Sequence, residues 1–161
     1  MKAIIIGTSL SGKTTLIRYL RTVVDAPISE MDEELTVRNN GEFPSDYEYK
    51  SKVLTPQIVK DVLSKESVLF FTNTDYFSHD DLRNARENNF TIIQLDLGLD
   101  SLKVRNKLRV ENDGYADLSQ WLEGMNQYQE NIKKLGLVDA TVNMDQPVEV
   151  IATELLDVLN K

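Results

Sequence analysis

At 161 residues the chain has room for one domain with a substantial core, and its 41% hydrophobic and 27% charged shares are ordinary for a globular protein in water. A net charge of −8 withholds the basic footprint that nucleic-acid binding needs, and the lack of cysteine removes disulfides, thiolate metal sites and thiol nucleophiles. No apolar stretch approaches the ~20 residues of a bilayer span. The expectation is a cytoplasmic protein with neither nucleic-acid nor membrane partners, as a monomer or a homodimer.

The chain opens on an apolar run, Ala3-Ile4-Ile5-Ile6, that reads as a core strand rather than as a cleavable signal. Gly7-Thr8-Ser9-Leu10-Ser11-Gly12-Lys13-Thr14 follows, a full-length G-x-x-x-x-G-K-[ST] phosphate loop. Thr15 to Leu20 then reads as a helix. Between a buried strand and a helix N-terminus, successive backbone N–H groups converge on an anion and the helix dipole adds to them. Lys13 brings a mobile charge for the β- and γ-phosphates, and the Thr14 hydroxyl suits Mg²⁺. This is the pattern of a nucleoside-triphosphate site.

Pro27 to Met31 reads as a short second strand ending in acidic residues. The polar stretch 35–50 carries the turn signals Asn39-Asn40-Gly41 and Pro44-Ser45-Asp46 and is expected to be a loop or mobile insert. Thr55-Pro56 should start a helix to about Ser64, with proline where its missing N–H costs nothing. Ser67 to Thr72 is a third strand. Ser78 is an expected N-cap for a helix to about Glu87, and Phe90 to Asp96 a fourth strand. A helix from about Asp100 to Arg109, the break Glu111-Asn112-Asp113-Gly114, and a long helix from Leu118 to Leu135 come next. Val138 to Met144 is a fifth strand and Val148 to Leu159 a closing amphipathic helix. Unbroken apolar runs imply strands covered on both faces, hence a parallel sheet in a three-layer α/β domain. Ligands in such sheets collect at the carboxyl ends of the strands.

Three clusters beyond the loop carry possible chemistry. In Glu30-Met31-Asp32-Glu33-Glu34, Asp32 is placed to serve Mg²⁺ or to act as base on an acceptor hydroxyl, with Glu30 two residues away on the same strand face. An exposed acidic turn is the plainer reading. Arg105 and Arg109, four residues apart, share a helical face and would close as a lid over the triphosphate; a cationic helix end is the alternative, as assigned to Arg18 and Arg21. In Thr72-Asn73-Thr74-Asp75-Tyr76, Asp75 is either a second metal-associated carboxylate or part of a turn. His79, the sole histidine, is expected in a loop and has no partners for catalysis or metal binding.

With these residues in view, the chain resembles the small-molecule kinases of the phosphate-loop class: the nucleoside-monophosphate, shikimate and gluconate kinases. Gly7 to Thr14 carries the resemblance most strongly. Glu30-x-Asp32 resembles the D-x-D that ends the second strand of shikimate kinases, with Glu at the first position. Arg105-x-x-x-Arg109 is similar to the lid arginines of adenylate kinases, one stacking on adenine and one touching phosphates. Val138 to Val142 through Gln146-Pro147 looks like the fifth strand and adenine-side loop. The resemblance implies sheet order 2-3-1-4-5 in a single domain, 1–161, with an acceptor-binding insert about 33–66 and a lid about 103–117. It also implies ATP and Mg²⁺ as cofactors and a small-molecule acceptor.

The expected activity is ATP-dependent transfer of the γ-phosphoryl group. Lys13, Asp32, Arg105 and Arg109 are the catalytic candidates. Gly7, Thr8, Ser9, Leu10, Ser11, Gly12, Lys13, Thr14, Thr15 and Arg105 are the nucleotide-binding candidates, and Thr14, Glu30 and Asp32 the metal candidates. The acceptor region, 35–60, matches no single family; Arg38 is available for an acceptor phosphate, but the surrounding acidic residues favour hydroxyl or amine groups. An adenylate-type kinase and a catalytically reduced nucleotide-binding regulator stand as alternatives. A GTP-dependent switch fits poorly, because Asn106-Lys107-Leu108-Arg109 has arginine where the N-K-x-D motif needs aspartate.

Overall fold

Five parallel strands, β1 (Lys2–Gly7), β2 (Ile28–Glu30), β3 (Val68–Thr72), β4 (Thr91–Asp96) and β5 (Ala140–Asn143), form one sheet in the order β2-β3-β1-β4-β5. This is the expected order, in a computed structural model that describes all residues, Met1–Lys161. β1 lies at the centre, with Ile4 opposite Phe70 on one side and Ile92 on the other. Side chains alternate across a strand, so the apolar run divides between two cores. Ala3 and Ile5 enter one; Ile4 and Ile6 enter the other.

The first core is covered by α1 (Lys13–Val23), α6 (Leu99–Asp113) and α8 (Val148–Leu159), through Leu16, Leu20, Leu102, Ile151 and Leu155. The second is covered by α2 (Met31–Arg38), α4 (Thr55–Leu63) and α5 (His79–Glu87), through Leu35, Ile58, Val62, Leu82 and Ala85. α7 (Ser119–Lys134) serves both, with Leu122 and Met125 in the first core and Ile132 in the second. Phe70 and Phe71 in β3 are fully buried on opposite faces, which is why that strand shows no polar alternation. Ser78 caps α5 in a capping box: its Oγ accepts from the Asp81 N–H at 3.1 Å, while the Asp81 carboxylate accepts from the Ser78 N–H at 2.9 Å.

The structure departs from expectation between residues 31 and 55. β2 ends at Glu30, and Met31 already begins α2, which runs to Arg38 through part of the expected loop. Buried Met31 and Leu35, four apart, hold it on the sheet and outweigh the weak helical signal of a short polar segment. The second surprise is the start of the next helix. It begins eight residues before Thr55 as α3 (Tyr47–Tyr49), continues as a π-helical segment, Lys50–Leu54, and runs directly into α4. A proline ring inside a helix clashes with the preceding turn. The wider π turn accommodates Pro56, and both the N–H and the Oγ1 of Thr55 donate to the Lys50 carbonyl, the latter at 2.8 Å. α6 also extends a turn past Arg109 before Gly114 ends it at φ 66°. His79 is the first residue of α5 rather than a loop residue.

Candidate active site

β1 ends at Gly7 and α1 begins at Lys13, so the phosphate loop spans the carboxyl edge of the central strand. Gly7 is required by space: a Cβ there would stand 2.8 Å from Ser11 Oγ and 3.2 Å from Leu95 Cβ. Gly12 is required by conformation, with φ 99°. Leu10 also takes a left-handed φ of 69°, a conformation that costs a branched side chain about 1 kcal/mol or more. Lys13 Nζ donates to the carbonyls of Gly7 at 2.8 Å and Thr8 at 2.9 Å, curling over its own loop. Burial pulls the Lys13 ammonium down to about 8, against the raising influence of Glu30 and Asp32. Within the loop, the buried hydroxyls of Thr8 and Ser11 have no hydrogen-bond partner.

The loop floors a cleft of about 690 Å³. Thr14 and Thr15 line it from the first turn of α1, Glu30 and Asp32 from the β2–α2 junction, and Arg105 and Arg109 from α6. The acidic run is thereby sorted by helical rotation. Glu30 and Asp32 face the cleft, Glu33 pairs with Arg21 at 2.6 Å, and Glu34 lies 3.7 Å from Arg38. Glu30 and Asp32 do not share a strand face: Glu30 closes β2, and Asp32 sits in the first turn of α2. Burial raises the pKa of each carboxyl, with the neighbouring Asp32 charge adding to the effect at Glu30. Lys13 opposes the rise at both, and Lys50 opposes it at Asp32.

Arg105 and Arg109 reach the same cleft. Arg105 Nη1 donates to the Leu10 carbonyl at 2.9 Å, and Arg109 stacks over the Tyr115 ring at 4.1 Å. Beyond them, Asn106 Nδ2 donates to Asp117 at 2.7 Å and Asn106 Oδ1 accepts from the Leu118 N–H at 2.9 Å, which ties α6 to the start of α7. Arg18, expected to serve only its helix end, also lines the cleft; Arg21 does not. On the far side of Gly12 a smaller recess of about 180 Å³ is bounded by Arg105, Met144, Gln146 and Val148. It lies beside the loop and at the end of β5.

A separate cavity of about 410 Å³ meets the cleft at Ser9, Asn73 and Leu118. Its walls are Tyr47 and Lys50 from the α3–π segment, Asp75 and Tyr76 after β3, and Trp121 and Met125 from α7. Burial and the Asp32 charge push the Tyr76 phenol up to about 12. Sequence reasoning placed Tyr47 and Lys50 in the acceptor stretch and Tyr76 in the third cluster without giving them a role, and it missed Trp121. No local pattern marks them, since they converge from three separate elements. Asp75 lines this cavity rather than the phosphate cleft and holds φ 71°. Arg38 is turned to Asp61 at 2.8 Å and lines neither.

No family profile matches the chain. A shikimate kinase from Aquifex aeolicus is 25% identical over 161 residues, spanning 97% of this chain and 94% of that one. The crystal structure of shikimate kinase from the same organism superposes with TM-score 0.75 at 23% identity, over 99% of this chain and 96% of that one. A gluconokinase from Sinorhizobium meliloti gives 0.64 at 17%, over 99% and 91%. The fold is therefore that of the small phosphate-loop kinases of the shikimate and gluconate kinase class. With a complete phosphate loop in that fold, the chain is a small-molecule kinase, a phosphotransferase that draws on a nucleoside triphosphate.

Proposed function

We propose that the chain moves the γ-phosphoryl group of ATP, taken as its magnesium complex, to a hydroxyl of a small organic acceptor, with Asp32 as the acceptor's base. The observation that carries this reading is the place of Asp32. It lines the phosphate cleft and interacts through space with Lys13 on one side and with Lys50 and Tyr76, in the wall of the second cavity, on the other. A carboxylate between a triphosphate and a second ligand can orient a hydroxyl and receive its proton. Burial raises its pKa, which makes it a stronger base than an ordinary aspartate, and Lys13 and Lys50 oppose the rise.

The acceptor oxygen attacks the γ-phosphorus, the bond to the β,γ-bridging oxygen breaks, ADP leaves, and the hydroxyl proton passes to Asp32. Loop N–H groups from Gly7 to Thr15 and the Lys13 ammonium hold the phosphates. Arg105 exchanges its Leu10 carbonyl for phosphate oxygen, and with Arg109 screens the transferring group from water. Magnesium, when bound, neutralises charge on the phosphates. Thr14, Glu30 and Asp32, which line the cleft, would suit it as hard oxygen donors beside phosphate oxygens and water.

Residues 33–66 then act as the acceptor insert and 103–117 as the lid. A nucleoside monophosphate is the poorer acceptor, because Arg38 is engaged with Asp61 and Lys50 alone supplies positive charge to the second cavity. No helix is long and apolar enough to cross a membrane; the cysteine-free composition suits a cytoplasmic enzyme. An ADP-release screen over hydroxyl-bearing metabolites, run beside Lys13→Ala and Asp32→Asn, tests the reading. Turnover of an acceptor that survives both substitutions would overturn it.

A further inference from the structure

We propose that the acceptor is an uncharged polyhydroxylated ring, a sugar or cyclitol, laid against Trp121 and the Tyr47–Tyr76 wall of the second cavity. This rests on the phosphotransfer reading and names the substrate class of that site. Three features of the cavity carry it: charge, hydrogen-bonding sense and shape.

The charge is wrong for an acid. Lys50 is the only cation lining the cavity, and it is already surrounded by rings, with Phe43 at 5.5 Å, Tyr47 at 5.6 Å and Tyr76 at 5.7 Å. Two carboxylates offset it, Asp75 in the cavity and Asp32, which lines the adjoining cleft and whose charge interacts with Lys50. A carboxylated or phosphorylated ligand would bring a further negative charge into this balance.

The hydrogen-bonding sense asks for donors. Ser51 Oγ gives its proton to the Tyr47 carbonyl at 2.6 Å and Thr55 Oγ1 gives its own to the Lys50 carbonyl at 2.8 Å. Both therefore present lone pairs to the cavity, as Asp75 does. Asn73 Nδ2 donates to Ser9 Oγ at 2.7 Å and its Oδ1 accepts from the Thr74 N–H at 2.9 Å, so half of its bonding capacity at each end is already used. A ring of hydroxyls supplies protons to these oxygens and lone pairs to the Lys50 ammonium and the Tyr76 phenol, whereas a carboxylate in place of one of its substituents brings lone pairs only.

The shape suits a flat-faced polar ring. A cavity of about 410 Å³ holds a six-membered ring with its substituents. Trp121 lines the cavity and is 59% exposed, which leaves apolar indole surface for the C–H face of such a ring, and Tyr47 lines it too, with the Lys50 ammonium over its ring.

The experiment compares neutral rings with acids of the same skeleton: glucose against glucuronate, and myo-inositol against shikimate, by ADP release with the full chain and Mg·ATP. The expected result is a kcat/KM for the better neutral ring about tenfold or more above the better acid. Trp121→Ala is expected to raise the acceptor KM about tenfold with the ATP KM unmoved, and Trp121→Phe to restore it. The proposal is overturned if an acid matches or exceeds the neutral rings; phosphotransfer then stands with a different acceptor. It is overturned as well if no neutral ring is turned over or bound, the binding read by NMR saturation transfer with a non-hydrolysable ATP analogue present. Loss of the phosphotransfer reading itself has a distinct signature, ADP release insensitive to Lys13→Ala.

Discussion

In the proposed donor half of the cleft, backbone between Gly7 and Thr14 makes the site; in the proposed acceptor half, side chains from the π segment, the turn after β3 and α7 line the cavity together. The donor half is held by the most constrained part of the molecule. β1 pairs on both edges and is buried on both faces, so the loop that leaves it has few ways to go. The acceptor half borders the surface, and its rings at Tyr47 and Trp121 are largely exposed. Phosphates are the same in every nucleotide kinase and can be met by a fixed backbone cradle. An acceptor differs from enzyme to enzyme, and its pocket is built from parts that can change without disturbing the sheet.

The largest expected effect on this division is at Lys13. Lys13→Ala removes the one ammonium on the β- and γ-phosphates, and turnover should fall by about 10²–10³ or more, with nucleotide affinity falling too. Unchanged turnover in an ADP-release assay would remove the loop from the mechanism. Asp32→Asn should lower kcat by about 10²–10⁴ while nucleotide affinity by calorimetry moves only a few-fold, because the residue works on the acceptor side. Equal losses in both would make Asp32 a metal ligand first and a base second.

Gly7→Ala tests the backbone cradle without touching charge. Its Cβ would stand 2.8 Å from Ser11 Oγ and 3.2 Å from Leu95 Cβ, so either the Ser11 side chain or the loop must give way. Nucleotide binding should weaken while the circular dichroism spectrum stays the same.

Lys13 also makes a pH signature. Its folded pKa of about 8 lies below the unfolded value of 10.5, so its burial subtracts from stability where both states are charged, below pH 8. That penalty relaxes as pH rises towards 10.5, where the unfolded chain still binds the proton. A bound triphosphate favours the charged form. Between pH 8 and 10, nucleotide binding should therefore take up from about half a proton to close to one, and weaken by up to about tenfold per pH unit. Calorimetry in buffers of different ionisation enthalpy reads this directly; no proton uptake would show that Lys13 is already charged in the free enzyme.

The smallest effect is expected at Glu33, which pairs with Arg21 on the surface rather than facing the cleft. Glu33→Gln should cost about 1 kcal/mol of stability or less by chemical denaturation and leave kcat unchanged. A loss of activity there would mean that the acidic run is not sorted as described.

The parts of the site that were legible share a property: their signal is local. The loop announces itself because each glycine meets a steric demand within a few residues, as Gly7 does with Ser11. Arg105 and Arg109 were paired by helical spacing alone. Asp32 was legible as an acidic residue near a strand end, but its position on α2 was not, since Met31 and Leu35 hold that short helix by packing on the sheet. The helix before Thr55 was hidden behind turn-forming residues and a proline, which the π turn accommodates.

The amino-acid sequence by itself determined the parallel sheet, the triphosphate loop and the kind of chemistry, because apolar runs and glycine positions act through near neighbours. Tertiary structure alone decided which acidic residues face the phosphates and which face solvent. It also brought Lys50, Tyr76 and Trp121 to one cavity. Those residues are separated by long stretches of chain, and only the crossover connections of the sheet set the distances between them.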